Sequence, residues 1–175
     1  MGLNESMFAV LQLGYFFLPA YVANMMPVIG KDWLKDLARP VNAHWFGGHK
    51  TWRGIVLGVI GAIVIAFVQS RLAPYVGTFS IAPYRDWWLL GSMLGLGALL
   101  GDLLKSFIKR RLAIKPGASW VPFDQIDFVI GGLALSSLVF FPGWAAATVL
   151  LVMSFFLHII VNRIGFALGM RSTSW

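Results

Sequence analysis

Apolar residues in this chain come in five long runs, not in the short alternating patches of a soluble domain. The runs cover residues 7–26, 52–68, 87–104, 123–141 and, beyond Pro142 and Gly143, 144–166. A helix that crosses the hydrocarbon core of a bilayer needs about 20 predominantly apolar residues, with a working range of about 17–25. Each run meets that length once its terminal polar residues are placed at the interface. The pattern predicts an all-α integral membrane protein, a bundle of about five transmembrane helices forming one domain over residues 1–175. No basic stretch precedes the first run, which reads as a retained helix and not as a cleaved signal. Tyr84, Trp87, Trp88 and Trp144 gather near run ends, where aromatic belts form.

Composition supports that pattern. Hydrophobic residues make up 58% of the chain and charged residues 12%, against about 25% charged in an ordinary soluble domain. Too little polar surface remains to coat a globule. The net charge of +7 then reflects topology and anionic headgroups, and no nucleic-acid partner is expected. There are no cysteines, which excludes disulfides and thiolate metal sites.

The charges also orient the bundle. Lys31, Lys35, Arg39, Lys50 and Arg53 lie between the first two runs. Lys105, Lys109, Arg110, Arg111 and Lys115 follow the third, and Arg163 and Arg171 lie toward the tail. Only Arg71 and Arg85 fall on the other side. Basic loops stay in the cytoplasm, so the two basic loops and the C-terminus are expected inside and the N-terminus outside. Five spans fit opposite ends.

Between them, residues 30–39 alternate charge with Trp33, Leu34 and Leu37, the pattern of a short amphipathic helix at the interface or of a solvated connector. Two rows of glycines, Gly54, Gly58 and Gly61, then Gly91, Gly95, Gly97 and Gly101, allow close helix approach. Packing within the chain is their default use, and a homodimer seam is a further one. No GxxxxGK[ST] loop and no internal repeat occur.

Polar residues in or beside spans are where function is sought, because burying them is costly. Asp102, Lys105, Ser106 and Lys109 recur at i, i+3, i+4 and i+7, on one face of the third helix. Alone, a salt-bridged stripe with interfacial anchors explains them equally well. Pro116 and Gly117 then turn the chain, Pro122 suits the first turn of the next helix, and Asp124 and Asp127 sit three apart on it. Three carboxylates at one depth repel one another unless cations lie between them. Oxygen ligands of this kind suit Mg²⁺, and basic residues around them suit a polyphosphate.

The loop 47–54 adds His49, Lys50, Thr51 and Arg53 as phosphate donors, or else as plain positive-inside anchors. Asn24 near the end of the first helix, and His158 with Asn162 on the last, suit interhelical hydrogen bonds or contacts to ribose and cytosine.

These residues carry a family resemblance. Ser106, Lys109, Arg110, Lys115, Asp124 and Asp127 match the signature of phosphatidate cytidylyltransferases, with Pro116 in place of its Asp, Gln125 in place of its Arg, and its His-Gly-Gly element missing. With those departures the arrangement resembles the archaeal CDP-archaeol synthases: GD-x-x-KSF-x-KRR from Gly101, IKPG-x-x-W-x-PFDQ-x-DF from Ile114, PAY-x-AN-x-x-P from Pro19 and HKTWRG from His49. The resemblance spans nearly the whole chain. It implies transfer of CMP from CTP to a digeranylgeranylglyceryl phosphate, with release of pyrophosphate and a requirement for Mg²⁺, at the cytoplasmic face of the cell membrane.

Carried over, Asp102, Asp124 and Asp127 would bind metal and, with Lys105, act catalytically. Lys50, Thr51, Arg53, Ser106, Lys109, Arg110 and Lys115 would hold the triphosphate and the lipid phosphate, with Asn24 and His158 as further substrate contacts. Phosphatidic acid is the alternative acceptor. From another class, a small transporter would also use intramembrane charges, but the charges lie on one side only and no inverted repeat is present. A CDP-alcohol phosphotransferase would need an Asp-Gly pair, and none occurs.

Overall fold

The computed structural model describes residues 3–115 and 118–169. The expected turn at Pro116 and Gly117, and Arg171, lie outside them. Among the described residues all regular elements are helical. They are α1 (Leu3–Ile29), the single turn α2 (Ala43–Phe46), α3 (Trp52–Val76), α4 (Trp87–Arg111), α5 (Phe123–Ser136) and α6 (Trp144–Ala167).

Four helical segments are long and apolar enough to cross a membrane: Asn4–Ile29, Trp52–Phe79, Tyr84–Arg111 and Trp144–Ala167. The expected span over 123–141 differs. Its helix has 14 residues, a rise of about 21 Å, short of the roughly 30 Å hydrocarbon core. Ser136 and Ser137 turn their hydroxyls back onto the carbonyls of Leu133 (3.3 Å) and Ala134 (2.6 Å). Pro142 then restricts Phe141 to extended backbone, and Gly143 (φ 96°) adopts a conformation that side chains disfavour to start α6.

α4 packs against α1, α3 and α5, while α6 closes the bundle against α5 and α1. α1 turns Phe16, Phe17, Ala20 and Ala23 fully inward, where they meet Leu90, Leu94 and Ala98 of α4 and Leu150 of α6 in one core. The outward faces stay apolar, with Leu11, Ile60, Val64, Leu100, Val152, Phe156 and Ile160 exposed. Such a belt needs lipid around it.

Both glycine rows are used within the chain. A methyl at Gly58 would meet the Ala23 carbonyl at 2.8 Å, and one at Gly91 the Ala66 Cβ at 2.7 Å. The tightest crossing joins Gly97 and Gly101 of α4 to Gly131 of α5, where any Cβ would run into the facing backbone.

Of the two readings of residues 30–39, the connector holds and the amphipathic helix does not form. Leu34 adopts a left-handed conformation (φ 42°), and only a 3₁₀ turn, Lys35–Leu37, follows. Trp33, Leu34 and Leu37 are exposed. A left-handed residue breaks the run of α conformations a helix requires.

Candidate active site

The ends of α1, α4 and α6 and the starts of α3 and α5 meet at one pole of the bundle, around a polar cleft of about 340 Å³. Local structure explains how each side chain reaches it. Residues 39–52 fold back on themselves, Val41 N–H donating to the Lys50 carbonyl at 2.8 Å and Trp52 N–H to the Arg39 carbonyl at 3.1 Å. The Thr51 hydroxyl caps α3 by accepting from Gly54 N–H at 3.2 Å. Lys50, held between these bonds, reaches across to donate to the Asp102 carboxylate.

On α4 the expected stripe is in place. Lys105 Nζ lies 3.1 Å from Asp102 Oδ1 one turn away, and the Ser106 hydroxyl donates to the Asp102 carbonyl at 2.8 Å. Past the helix end Ala113 is left-handed (φ 55°) and Ile114 N–H returns to the Lys109 carbonyl at 2.9 Å. This cap sends the chain back toward α5.

Lys105 is the centre of the site. Besides Asp102, its ammonium meets Asp124 Oδ1 at 3.2 Å and Asp127 Oδ2 at 2.8 Å. The three carboxylates do converge, and a lysine supplies the positive charge between them. Lys109 adds a second cation, donating to both oxygens of Asp124 at 3.0 and 2.9 Å and to the Ala118 carbonyl at 2.6 Å. Asp124 also accepts from Trp120 N–H at 2.5 Å, tying the loop before α5 to its first turn.

The glycine crossing is what makes this possible. Gly101 lies directly against the Asp127 backbone, so α5 presents its acidic turn at the level of Asp102. Among the described residues no three acidic or histidine side chains are spaced to grip a metal ion directly. Their spacing is set by the Lys105 ammonium, while their chemistry, hard carboxylate oxygens gathered on one cation, fits a divalent metal.

Of the residues expected from the sequence, Asn24, Lys50, Asp102, Lys105, Lys109, Asp124, Asp127 and His158 line this cleft. The others do not. Thr51 lines a smaller neighbouring cavity, Arg53 donates to the Lys31 carbonyl, and Ser106 is buried against its own helix. Arg110 is half-buried and Lys115 exposed.

His49, expected as a phosphate donor, and Asn162, expected with His158, also line the cleft, and so does Gln125. In the sequence Gln125 departs from one signature and matches the PFDQ motif of the archaeal family, with no role attached to it. Its signal was periodicity: Gln125, Phe128, Val129 and Gly132 share one face of α5, and all four are buried.

Two apolar grooves adjoin the cleft. One, of about 210 Å³ between α1 and α6, shares Asn24, Val28, His158 and Asn162 with it. The other, of about 380 Å³ between α4 and α5, ends at Lys105 and Asp127.

Residues 6–175 match the family model for CarS-like CDP-archaeol synthase. The CDP-archaeol synthase of Methanoculleus marisnigri is 36% identical over 169 residues, which covers 90% of this chain and 99% of that protein. That of Pyrococcus furiosus is 34% identical over 178 residues, with 97% and 100% covered. A solved structure of an intramembrane enzyme for archaeal membrane lipids biosynthesis superposes with a TM-score of 0.69 at 28% identity, covering 85% of this chain and 91% of that one. The chain belongs to the CDP-archaeol synthase family.

Proposed function

We propose that this multi-pass membrane protein transfers CMP from CTP to a lipid phosphate, 2,3-bis-O-geranylgeranyl-sn-glycerol 1-phosphate, releasing pyrophosphate and a CDP-lipid. The observation that carries this reading is the convergence of Asp102, Asp124 and Asp127 with Lys50, Lys105 and Lys109 on one cleft in a chain of this family. Breaking buried ion pairs is expensive, and keeping them is seldom the most stabilising use of a core. A cluster of six such groups points to a polyanion and its counter-ions.

A non-bridging oxygen of the lipid phosphate attacks the α-phosphorus of CTP. As that P–O bond forms, the bond from the α-phosphorus to the bridging oxygen breaks, and the electron pair leaves with pyrophosphate. No covalent enzyme intermediate is required. Lys50, Lys105 and Lys109 hold the triphosphate by charge, neutralise the leaving group and keep the two anionic reactants from repelling each other. Asp102, Asp124 and Asp127 would hold Mg²⁺. Bound there, the ion supplies Lewis-acid neutralisation of the phosphates.

The lipid reaches the cleft along the groove between α1 and α6, whose polar end at Asn24, His158 and Asn162 is already a wall of the cleft. The basic loops gather at this pole, which by the positive-inside rule supports a site at the cytoplasmic face. The glycine rows are used within the chain, so a homodimer would have to form through other helix faces.

Purified protein in detergent, given radiolabelled CTP, Mg²⁺ and the ether lipid phosphate or phosphatidic acid, tests the reading. Label moves into the organic phase, faster with the ether lipid, and Asp124→Asn lowers the rate at least about 100-fold while the protein stays folded. No transfer to either lipid from folded protein would overturn it.

A further inference from the structure

The cleft has two chemically different ends. Lys50 of the loop before α3 and the charged groups of α4 and α5 occupy one. The other is walled by Asn24 of α1, His158 and Asn162 of α6, and Gln125 of α5. Gln125 is the most buried of the four. It is 2% exposed, and its Oε1 is buried without a hydrogen-bond partner, although the residue lines a polar cleft. Leaving a buried acceptor unmatched is costly, and such atoms are rare in native proteins.

Position explains its aim. On α5, Asp124 and Asp127 turn toward Lys105 and Lys109. Gln125 shares instead the face of Phe128, whose ring lies 6.2 Å from that of His158. It therefore belongs to the uncharged end.

Resting on the function proposed above, we propose that Gln125 reads the nucleotide base, its Oε1 accepting a hydrogen bond from the 4-amino group of cytosine. A triphosphate laid along the lysines leaves its base at the end without charges. There a neutral heterocycle needs neutral partners. Among pyrimidines, the exocyclic amine of cytosine is the donor that a lone buried carbonyl oxygen demands, whereas uracil presents an oxygen at the same place. With the amide oriented as it is, acceptor against acceptor leaves both groups unpaired, and sites built around a hydrogen bond reject ligands that lack it. Gln125 is thus a specificity residue, with no part in the phosphoryl step.

The test crosses protein and ligand changes, with binding read by calorimetry on the full-length protein in detergent and Mg²⁺. The ligands are CTP, UTP and the 2-pyrimidinone ribonucleoside triphosphate, which lacks only the 4-amino group. The wild-type protein binds the 2-pyrimidinone nucleotide and UTP about 10- to 100-fold more weakly than CTP. In Gln125→Leu, and in Gln125→Met as a second apolar side chain, the three nucleotides bind within about threefold of one another. The loss falls on CTP, and in the transfer assay it appears in KM and not in kcat.

Either variant keeping the full CTP preference would overturn the proposal while leaving the cytidylyltransferase reading intact. So would a change confined to lipid affinity, or wild-type protein that binds CTP and the 2-pyrimidinone nucleotide equally. Wild-type protein that binds no nucleotide would overturn both.

Discussion

The two walls of the cleft are built to opposite standards. The wall formed by α4 and α5 has no slack. A methyl at Gly101 would meet the Asp127 carbonyl carbon at 2.9 Å and the Gly131 Cα at 3.3 Å, both backbone atoms that cannot turn aside. The wall formed by α1 and α6 is loose. A methyl at Gly14 of α1 would meet only the Met153 Cε of α6, at 3.8 Å, an ordinary contact with the end of a flexible side chain. Ala147, Leu150, Ser154 and Asn162 are the buried residues of α6, and a groove runs between it and α1.

Chemistry follows the same division. The rigid wall carries the three carboxylates and Lys105, whose positions decide whether charges pair or repel. The loose wall carries neutral groups and borders the path we assign to lipid. A misplacement of about 1 Å near reacting atoms can lower a rate about 100-fold, whereas an apolar chain tolerates a groove that adjusts.

The contrast can be broken most severely at Lys105. Lys105→Met strands three carboxylates around an apolar side chain. Loss of one partner from a buried ion pair destabilises by about 3–5 kcal/mol, so the melting temperature falls well below that of the wild type and transfer drops at least about 100-fold. If the carboxylates are the metal site, Mg²⁺ recovers part of the lost thermal stability. A variant that melts like the wild type without added metal would mean that Lys105 does not hold the trio together.

Next comes Gly101→Ala. Overpacking at a rigid contact costs about 1–3 kcal/mol, and the accompanying shift of Asp127 lowers transfer about tenfold or more. A fully active Gly101→Ala would show that the α4–α5 crossing does not set the site.

On the loose wall, Val161→Trp narrows the groove that Val161 lines with Met25 and Ile29. We expect a KM for the lipid raised about tenfold, with CTP affinity measured by calorimetry unchanged. A loss of CTP affinity with the KM for the lipid unchanged would show that this groove does not carry the lipid.

The smallest effect belongs to Gly14→Ala. Alanine in a helix interior is favoured over glycine by about 0.5–1 kcal/mol, so this variant melts at or slightly above the wild-type temperature and keeps its activity. The same substitution thus has opposite signs on the two walls. A marked loss at Gly14 would erase the distinction.

Much of this was legible beforehand. The apolar runs located α1, α3, α4 and α6, and the spacing of Asp102, Lys105, Ser106 and Lys109 put them on one face of α4. The motifs pointed to the family that the comparisons bear out. The convergence of the three carboxylates was legible too, whereas the Lys105 ammonium between them was not.

Other features were not legible. Residues 30–39 carry an amphipathic pattern, yet a left-handed Leu34 overrides it. Residues 123–141 are apolar enough for a span, yet serine back-bonding and Pro142 end the helix at Ser136. Arg53 and Thr51 have the chemistry of phosphate ligands, and local contacts turn them to holding the loop in shape.

By itself, then, the sequence determined what is periodic or adjacent along the chain: the helices, their lipid-facing surfaces, the basic pole and the chemical groups at that pole. Hydrophobic burial and helical spacing act over a few residues, and a linear pattern records them. Only the tertiary structure decided which groups meet. The match of Gly97 and Gly101 with Gly131 fixes how closely α4 and α5 cross. That crossing decides that Lys105 sits among the aspartates and that Gln125 is buried at the uncharged end. Such pairings depend on the approach of backbones far apart in sequence, which no local pattern encodes.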